Sequence, residues 1–267
     1  MSFKADLHCH SCYSDGTNTP TELIDLAIEV GLSGLSITDH DTVEGYKEAL
    51  PYAKEKNFPL LTGIEFSASY KGEPIHVLGY GIDLESEELL TLCARHQKRR
   101  FQRNQAILIK LKKLGHSIEM EDLKATGKIV GRPHIALALM ERGVVSSVKE
   151  AFDKLLGEGK AAYTPGEVVS VEETLETIHQ AEGKAIIAHP HLIRKKSTFR
   201  KMLEYPFDGL EGYYARMPLS REREFLNIGK ERKWIITGGS DYHGSVKPQA
   251  ALGTSWVDEE TFNVLCK

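Results

Sequence analysis

Short apolar runs separated by helically spaced stretches organise the start of the chain. Phe3–His8, Leu35–Thr38, Leu60–Glu65 and Ile75–Tyr80 read as strands, and Val43–Lys56 reads as a helix. Thr19-Pro20-Thr21-Glu22 is a capping box with proline at the first helical position, so another helix starts there, and Gly31 stops it. Strand–helix alternation of this kind predicts βα units and a mostly parallel sheet. The rhythm then changes. Glu87–Leu114 has a helical pattern without a breaker, with Ser86 as N-cap and Gly115 as stop, and shorter helical patterns follow at Pro133–Arg142 and Val148–Leu156. No convincing strand falls between Asp83 and about Gly159, which predicts a helical insertion. Alternation returns with the capping box Ser170-Val171-Glu172-Glu173, a helix ending before Gly183, strands at Ala185–His189, Asp208–Tyr213 and Trp234–Gly238, and a helix over Arg221–Lys233. The expected architecture is an α/β barrel in two parts, residues 1–82 and 160–267, interrupted by a small helical domain over 83–159.

Composition narrows the class without naming a function. Of 267 residues, 41% are hydrophobic and 27% charged, the balance of a packed globular chain rather than a disordered one. A net charge of −4 and a pI of about 6.3 lack the global basic field of a dedicated duplex-DNA binder. No apolar run approaches the roughly 18 residues that span a bilayer, and Met1-Ser2-Phe3-Lys4-Ala5-Asp6 is no signal peptide. Four cysteines, Cys9, Cys12, Cys93 and Cys266, are too few and too scattered for a disulfide framework. The expectation is a cytoplasmic protein without a membrane partner. Eleven histidines, several beside Asp or Glu at predicted strand ends, change the picture.

Asp6-Leu7-His8-Cys9-His10 places two imidazoles on one face of an extended strand, because side chains alternate along it. Such a pair suits a metal ion, although an isolated His-x-His is as readily two surface histidines. Asp15, in the loop just beyond, adds a carboxylate. Cys9 should point to the opposite face, and neither Cys9 nor Cys12 is counted as a ligand. Thr38-Asp39-His40-Asp41 ends the second strand with a histidine between two acids, a ligand with hydrogen-bonding support such as Asp39, while Asp41 also suits a helix N-cap. Glu65 stands among apolar neighbours, where a carboxylate is costly unless paired or metal-bound. His76 alone reads as a core histidine with satisfied hydrogen bonds. His189 ends one apolar run, and Asp241-Tyr242-His243 follows another. Active sites of α/β barrels lie at the C-terminal strand ends, and five strands ending in His, Asp or Glu fit a site for more than one metal.

Together, Asp6–His10 with Asp15, Thr38–Asp41, Gly63–Ser67, His76, Ala188-His189-Pro190 and Ser240-Asp241-Tyr242-His243 resemble the PHP family (polymerase and histidinol phosphatase) over nearly the whole chain. Their order, the helical insertion and Gly131-Arg132-Pro133-His134 look most like its stand-alone branch. That branch includes phosphoesterases acting on 3′,5′-bisphosphate nucleotides and 5′→3′ exonucleases on short RNA or DNA. The resemblance implies a distorted (βα)7 TIM-like barrel, the PHP fold, with two or three divalent or trivalent metal ions at its rim. By that resemblance His8, His10, Glu65 and Asp241 hold the first metal. Glu65 bridges to a second, completed by His76 and His189, and Asp15, His40 and His243 hold a third. Some relatives carry histidine where this chain has Asp15, and the harder carboxylate favours Mn2+ or Fe over an all-Zn2+ site.

The same resemblance implies phosphate binding by Arg132 and His134; on pattern alone, Pro133 opens a helix and Arg132 is a solvated cation. His191, Arg194 and Arg216 follow strand ends and join the candidate substrate residues, His191 also as a proton donor to the leaving oxygen. Arg95, Lys98, Arg99, Arg100 and Arg103 form a charge run that reads as a solvated helix face, with a nucleic-acid role as the alternative. His96, His116 and His179 read as structural. The expected function is a metal-dependent phosphoesterase that hydrolyses nucleotides or the 5′ ends of short single-stranded oligonucleotides with metal-activated water, and needs no protein partner. Histidinol phosphate hydrolysis, a non-catalytic metal-stabilised binding module and amide hydrolysis compete with it. The presence of His, Asp or Glu at every proposed ligand position argues against the module. The lack of a lysine at a strand end argues against amide hydrolysis.

Overall fold

In the parallel three-stranded sheet β1–β2–β3, β1 is Ala5–Cys9, β2 is Gly34–Ile37 and β3 is Leu60–Leu61. These coordinates belong to a computed structural model that describes residues 2–123 and 129–267; residues 124–128 of the expected insertion lie outside the described residues. A second sheet takes β4 (Gly63–Tyr70), β5 (Glu73–Tyr80), β6 (Lys184–Ile187), β7 (Gly209–Tyr214) and β8 (Ile235–Gly239) in chain order. It is antiparallel across β4–β5–β6 and parallel across β6–β7–β8. Isolated bridges, Cys9 with Tyr242 and His40 with Glu65, stitch the two sheets together at their edges. Among the described residues the ladders do not close into a continuous barrel.

The expected strand Leu60–Glu65 is two strands. The chain leaves the first sheet at Thr62, whose Oγ1 donates to the Ile82 carbonyl at 2.9 Å, and enters the second at Gly63. A Cβ at Gly63 would lie 2.3 Å from Ser36 Oγ, so glycine alone lets β4 pass this close to β2. Glu65 therefore sits inside β4 and not at a strand end. The antiparallel β4–β5 hairpin also departs from the parallel expectation. Lys71 and Gly72, at φ 48° and 81°, make its two-residue turn, whose left-handed backbone matches strand twist.

The helices are α1 (Pro20–Glu29), α2 (Tyr46–Glu55), α3 (Glu87–Lys113), α4 (Arg132–Glu141), α5 (Val148–Ala151), α6 (Val171–Gln180), α7 (Lys196–Met202), α8 (Leu219–Arg232) and α9 (Glu259–Leu265). The capping box at α1 forms as read: Thr19 Oγ1 accepts from the Glu22 amide at 3.2 Å and the Glu22 carboxylate accepts from the Thr19 amide at 2.8 Å. At α6 only half of it forms, because Glu173 gives its carboxylate to Arg95. α2 starts later than expected because Asp41 does not cap it. α5 runs on into a π-helical turn, Phe152–Leu156.

Three hydrophobic clusters organise the packing of the described residues, one of them, with Leu7, Leu78, Tyr80 and Ile186, lying between the strands, and the other two involving the helices. The main one joins Leu23 and Ile24 of α1, Leu35 and Ile37 of β2, Phe66, Val77, Leu175 and Ile187. The second is built between Ile107 and Ala162, with Ile135, Leu139 and Leu156 at its centre. α3 belongs to both. Its Leu89, Leu92 and Cys93 pack in the main cluster, and its Ile107, Leu108 and Leu111 pack in the second. Each such buried side chain stabilises by about 1.5–3 kcal/mol, so this helix is fixed at both ends and its middle is held over the strand termini.

Candidate metal centre

β1 and β8 lie against each other at the site because Gly239 has no side chain: a Cβ there would meet the His8 amide nitrogen at 2.4 Å. Beyond that contact the Asp241 amide donates to the His8 carbonyl at 2.8 Å and the His10 amide to the Tyr242 carbonyl at 2.9 Å. The result brings His8, His10 and Asp241 together. Glu65 is at their centre. Its Oε2 is 3.4 Å from His8 Nε2, 3.2 Å from His10 Nε2 and 3.1 Å from His40 Nδ1. Its Oε1 is 2.8 Å from His76 Nδ1 and 2.9 Å from His189 Nε2. On β4–β5 the pairs Glu65–Leu78 and Ser67–His76 put Glu65 and His76 on one face. Asp241 Oδ1 is 3.6 Å from His8 Nε2 and 3.4 Å from both His10 Nε2 and His243 Nδ1. Asp15 lies 3.3 Å from His243 Nε2 and 3.9 Å from His10 Nδ1 and His40 Nε2.

Every sequence-predicted ligand is thus in one constellation, and its polar atoms fit metal ions. His8 Nε2, both ring nitrogens of His10, His40 Nδ1, Asp15 Oδ1 and Glu65 Oε2 are buried without a hydrogen-bond partner. Buried polar atoms left unpaired are rare in native proteins unless an ion or water completes them. Three overlapping donor groups emerge, His8–His10–Glu65, His40–Glu65–His76 and His10–Asp15–His40–His243, with His10, His40 and Glu65 shared. Burial opposes the charge on Glu65, Asp15 and Asp241, yet the surrounding imidazoles hold all three carboxyls well below their usual range. Burial likewise opposes protonation of His10, but Asp241 and Glu65 raise it to about 9. The three carboxyls are therefore held as anions within the imidazole cluster.

Several supporting residues had no sequence signal. Glu211, fully buried on β7, takes His8 Nδ1 on Oε1 at 2.9 Å and accepts the His189 amide on Oε2 at 2.7 Å. One carboxylate thereby orients two candidate ligands. Tyr214 and Lys247 meet Asp241 Oδ2 from the far side. Asp39 accepts from the Ser11 amide at 2.8 Å and from the Ser11 and Ser14 hydroxyls at 2.5 Å, so it holds the loop that carries Asp15 and does not touch a ligand ring. Asp41 is no cap; it receives the Ser67 amide at 2.7 Å and Arg100 Nε at 2.8 Å. His76 is no satisfied core histidine. Asp41, His189 and Asp241 have φ of 57°, 27° and 52°, left-handed backbone that non-glycine residues adopt at a cost.

The charge run on α3 resolves into different fates. Arg100 is spent on Asp41 and Ser67, and Arg95 on Glu173. Arg99 donates to the Glu167 carbonyl at 2.9 Å, while the Nε atoms of Arg99 and Arg103 are buried without partners. Lys98 is exposed. Arg99, Arg103, Arg132 and Arg194 line one cleft of about 600 Å³ with Asp15, His40, His76, Phe152 and Tyr163. Burial and the neighbouring arginines bring Arg103 down to about 9. Arg132 stacks 5.4 Å from the Phe152 ring. His134 is buried beside this cleft, its Nδ1 taken by the Gly131 amide at 3.1 Å. His191 packs edge-on to Tyr214 at 4.5 Å, and burial lowers its pKa, which works against a protonated donor there. Arg194 pairs with Glu158 at 2.9 Å in the open, and Arg216 is exposed outside the cleft. His96 is buried beside Asp41, and His179 pairs with Asp208 at 2.9 Å.

Comparison with known proteins agrees with this geometry. The PHP domain family matches residues 6–163. The chain is 35% identical over 249 residues to a 5′-3′ exoribonuclease of Haemophilus influenzae, covering 91% of each. It is 29% identical over 253 residues to a 3′,5′-nucleoside bisphosphate phosphatase of Chromobacterium violaceum, covering 89% of this chain and 86% of the other. A solved structure assigned as a metal-dependent phosphoesterase of Bifidobacterium adolescentis superposes with a TM-score of 0.90 at 30% identity, over 98% of this chain and 94% of that one. A fold of two stitched sheets whose edges converge on clustered histidines and carboxylates defines a metal-dependent hydrolase of phosphate esters. The chain belongs to the PHP family. Among the described residues no helix is long and apolar enough to cross a membrane.

Proposed function

We propose that the protein hydrolyses phosphate esters of nucleotides, either 3′,5′-bisphosphate nucleotides or the 5′ ends of short single-stranded oligonucleotides. The observation that carries this reading is the pairing of Glu65 Oε2, buried without a hydrogen-bond partner among three imidazoles, with a cleft in which the Nε atoms of Arg99 and Arg103 also lack partners. The first fits metal; the second fits phosphate. His8, His10, Asp15, His40, Glu65, His76, His189, Asp241 and His243 would hold two or three ions, with Mn2+ or Fe favoured over Zn2+ by the carboxylates. Bound there, such ions act as Lewis acids on phosphoryl oxygens and make water a nucleophile near neutral pH. Arg132, with Arg99 and Arg103, would clamp phosphate, and His134 would donate from Nε2, its Nδ1 being taken. Phe152 and Tyr163 give the cleft aromatic faces of the kind on which bases stack.

The finer fold reading is part of this proposal: a distorted (βα)7 barrel carries the metals, and residues 83–159 cap its rim. The curated relatives support the nucleotide reading over histidinol phosphate, since two of them are named for nucleic-acid or nucleotide substrates. The test is metal analysis of the purified protein, then phosphate or nucleotide release from AMP, a 3′,5′-bisphosphate nucleotide, histidinol phosphate and 5′-phosphorylated short RNA, with and without Mn2+. The expected result is Mn2+-dependent release from the bisphosphate or the RNA. Preferential hydrolysis of histidinol phosphate, or no metal-dependent release from any of them, would overturn the proposal.

A further inference from the structure

The Asp241 carboxylate is divided. Its Oδ1 faces the centre, 3.4 Å from His10 Nε2 and His243 Nδ1. Its Oδ2 faces away and accepts the Tyr214 hydroxyl at 2.6 Å. Tyr214 has little choice in this. Lys247 Nζ, which also pairs with Asp241, donates to the phenol oxygen at 2.9 Å. With its oxygen occupied as an acceptor, the phenol has one direction left for its proton, toward Oδ2. The ring is held on its other side by His191, edge-on at 4.5 Å, so neither ring nor hydroxyl is free to turn.

We infer that Tyr214 is a positioning residue for the metal centre: its hydroxyl holds Asp241 Oδ2, so that Asp241 presents only Oδ1 to an ion. The consequence is a one-oxygen ligand set in place before any ion arrives. That matters at this position because Asp241 sits on left-handed backbone at φ 52°, which gives its side chain no support from a regular strand. Without the hydroxyl, Lys247 alone holds Oδ2, and the carboxylate has more room to turn and offer both oxygens to one ion. Outer hydrogen bonds to ligating groups are typically worth about 10–100-fold in metal affinity. Tyr214 does not line the cleft of Arg99, Arg103 and Arg132, so the contacts those arginines would make to substrate are separable from this effect.

The inference rests on the metal reading above, and the experiment keeps the two apart. Metal-free wild-type protein and Tyr214→Phe are titrated with Mn2+, the free ion being followed by electron paramagnetic resonance. Both are then assayed on the preferred nucleotide substrate at saturating and at limiting Mn2+. The variant should bind at least one Mn2+ about ten-fold more weakly. Its kcat at limiting Mn2+ should fall and recover at excess, with KM for the nucleotide unchanged. Its Mn2+-induced rise in Tm should be smaller than that of wild type, a difference that a packing defect affecting both metal-free and loaded protein would not produce. Equal Mn2+ affinity and an equal Mn2+-induced rise in Tm would overturn the inference while leaving the metal reading intact. Wild-type protein that takes up neither Mn2+ nor Fe2+ nor Zn2+ would remove both.

Discussion

The strand-borne centre and the helix-borne wall over it face the same space with opposite chemistry. In the centre the donor atoms crowd one another: Glu65 alone is within 3.4 Å of five imidazoles, and Lys247 pairs with Asp241 at the edge. On the wall, the cations of α3 and α4 divide between partners already present and partners missing. Arg100 and Arg95 are neutralised by Asp41 and Glu173, whereas Arg99 and Arg103 have buried Nε atoms unpaired and no carboxylate within ion-pair distance among the described residues. The centre is defined by backbone contacts between neighbouring strands, the wall by one long helix packed at both ends. A change in the centre should therefore remove chemistry, and a change in the wall should alter selection.

The sharpest way to break the contrast is Glu65→Gln. It removes the one carboxylate that both oxygens share with five histidines, so metal content should fall and phosphate release should drop about 10³-fold or more, worth roughly 4 kcal/mol of barrier. Metal analysis beside the phosphate assay checks both, and near-normal turnover would mean that Glu65 is not central. Next in size is a stability effect in the wall. Burial brings His96 down to about 4, with Asp41 opposing, against an ordinary value of 6.5. A histidine held neutral contributes stability above its unfolded pKa. That contribution is lost as pH falls from 6.5 through 4, by roughly 3 kcal/mol in all. His96→Leu should accordingly flatten the acid limb of urea-unfolding stability between pH 7 and 4.5 while its activity tracks its folded fraction. An unchanged acid limb would mean that His96 is not held neutral in the fold.

Arg132→Ala should come third. Losing a charge-assisted contact to phosphate costs about 2 kcal/mol, near 30-fold in kcat/KM on nucleotide substrates. Metal content should stay as in wild type. p-Nitrophenyl phosphate, with one phosphate, should suffer less if Arg132 reads a second one, and equal losses would move Arg132 to the scissile group. The smallest effect belongs to Arg194→Ala. Arg194 lines the cleft but pairs with Glu158 with both side chains more than half exposed, and such pairs contribute about 0–1 kcal/mol. Less than a two-fold change in kcat/KM is expected; a change as large as that of Arg132→Ala would place the substrate further along the cleft.

The centre was readable from sequence because its donors come as short patterns on strands: two imidazoles alternating on β1, a histidine between acids after β2, and Asp-x-His after β8. What could not be read were partners fixed only by the fold. Glu211 has no distinguishing neighbour in sequence, and its role appears only when β7 lies between β6 and β8. Tyr214 and Lys247 reach Asp241 from separate segments. Hydrophobicity is continuous over Leu60–Glu65 and predicts one strand; the break at Thr62 and Gly63 is a matter of how closely two strands pass. For the same reason Asp41, a good cap by composition, was claimed instead by an arginine from the distant α3. The wall was the least legible part, since a run of five cations gives no hint of which ones find carboxylates.

The left-handed backbone at Asp41, His189 and Asp241 sets stability against activity in this protein. Glycine accepts such dihedrals without strain, so at these three positions the residue easiest for the backbone is one that can neither bind an ion nor receive a guanidinium. A heat-tolerance screen run without metal, and without a demand for turnover, would therefore drift toward chains that fold well and do nothing. Variants of this enzyme meant to survive heat should be selected with metal bound and substrate turning over.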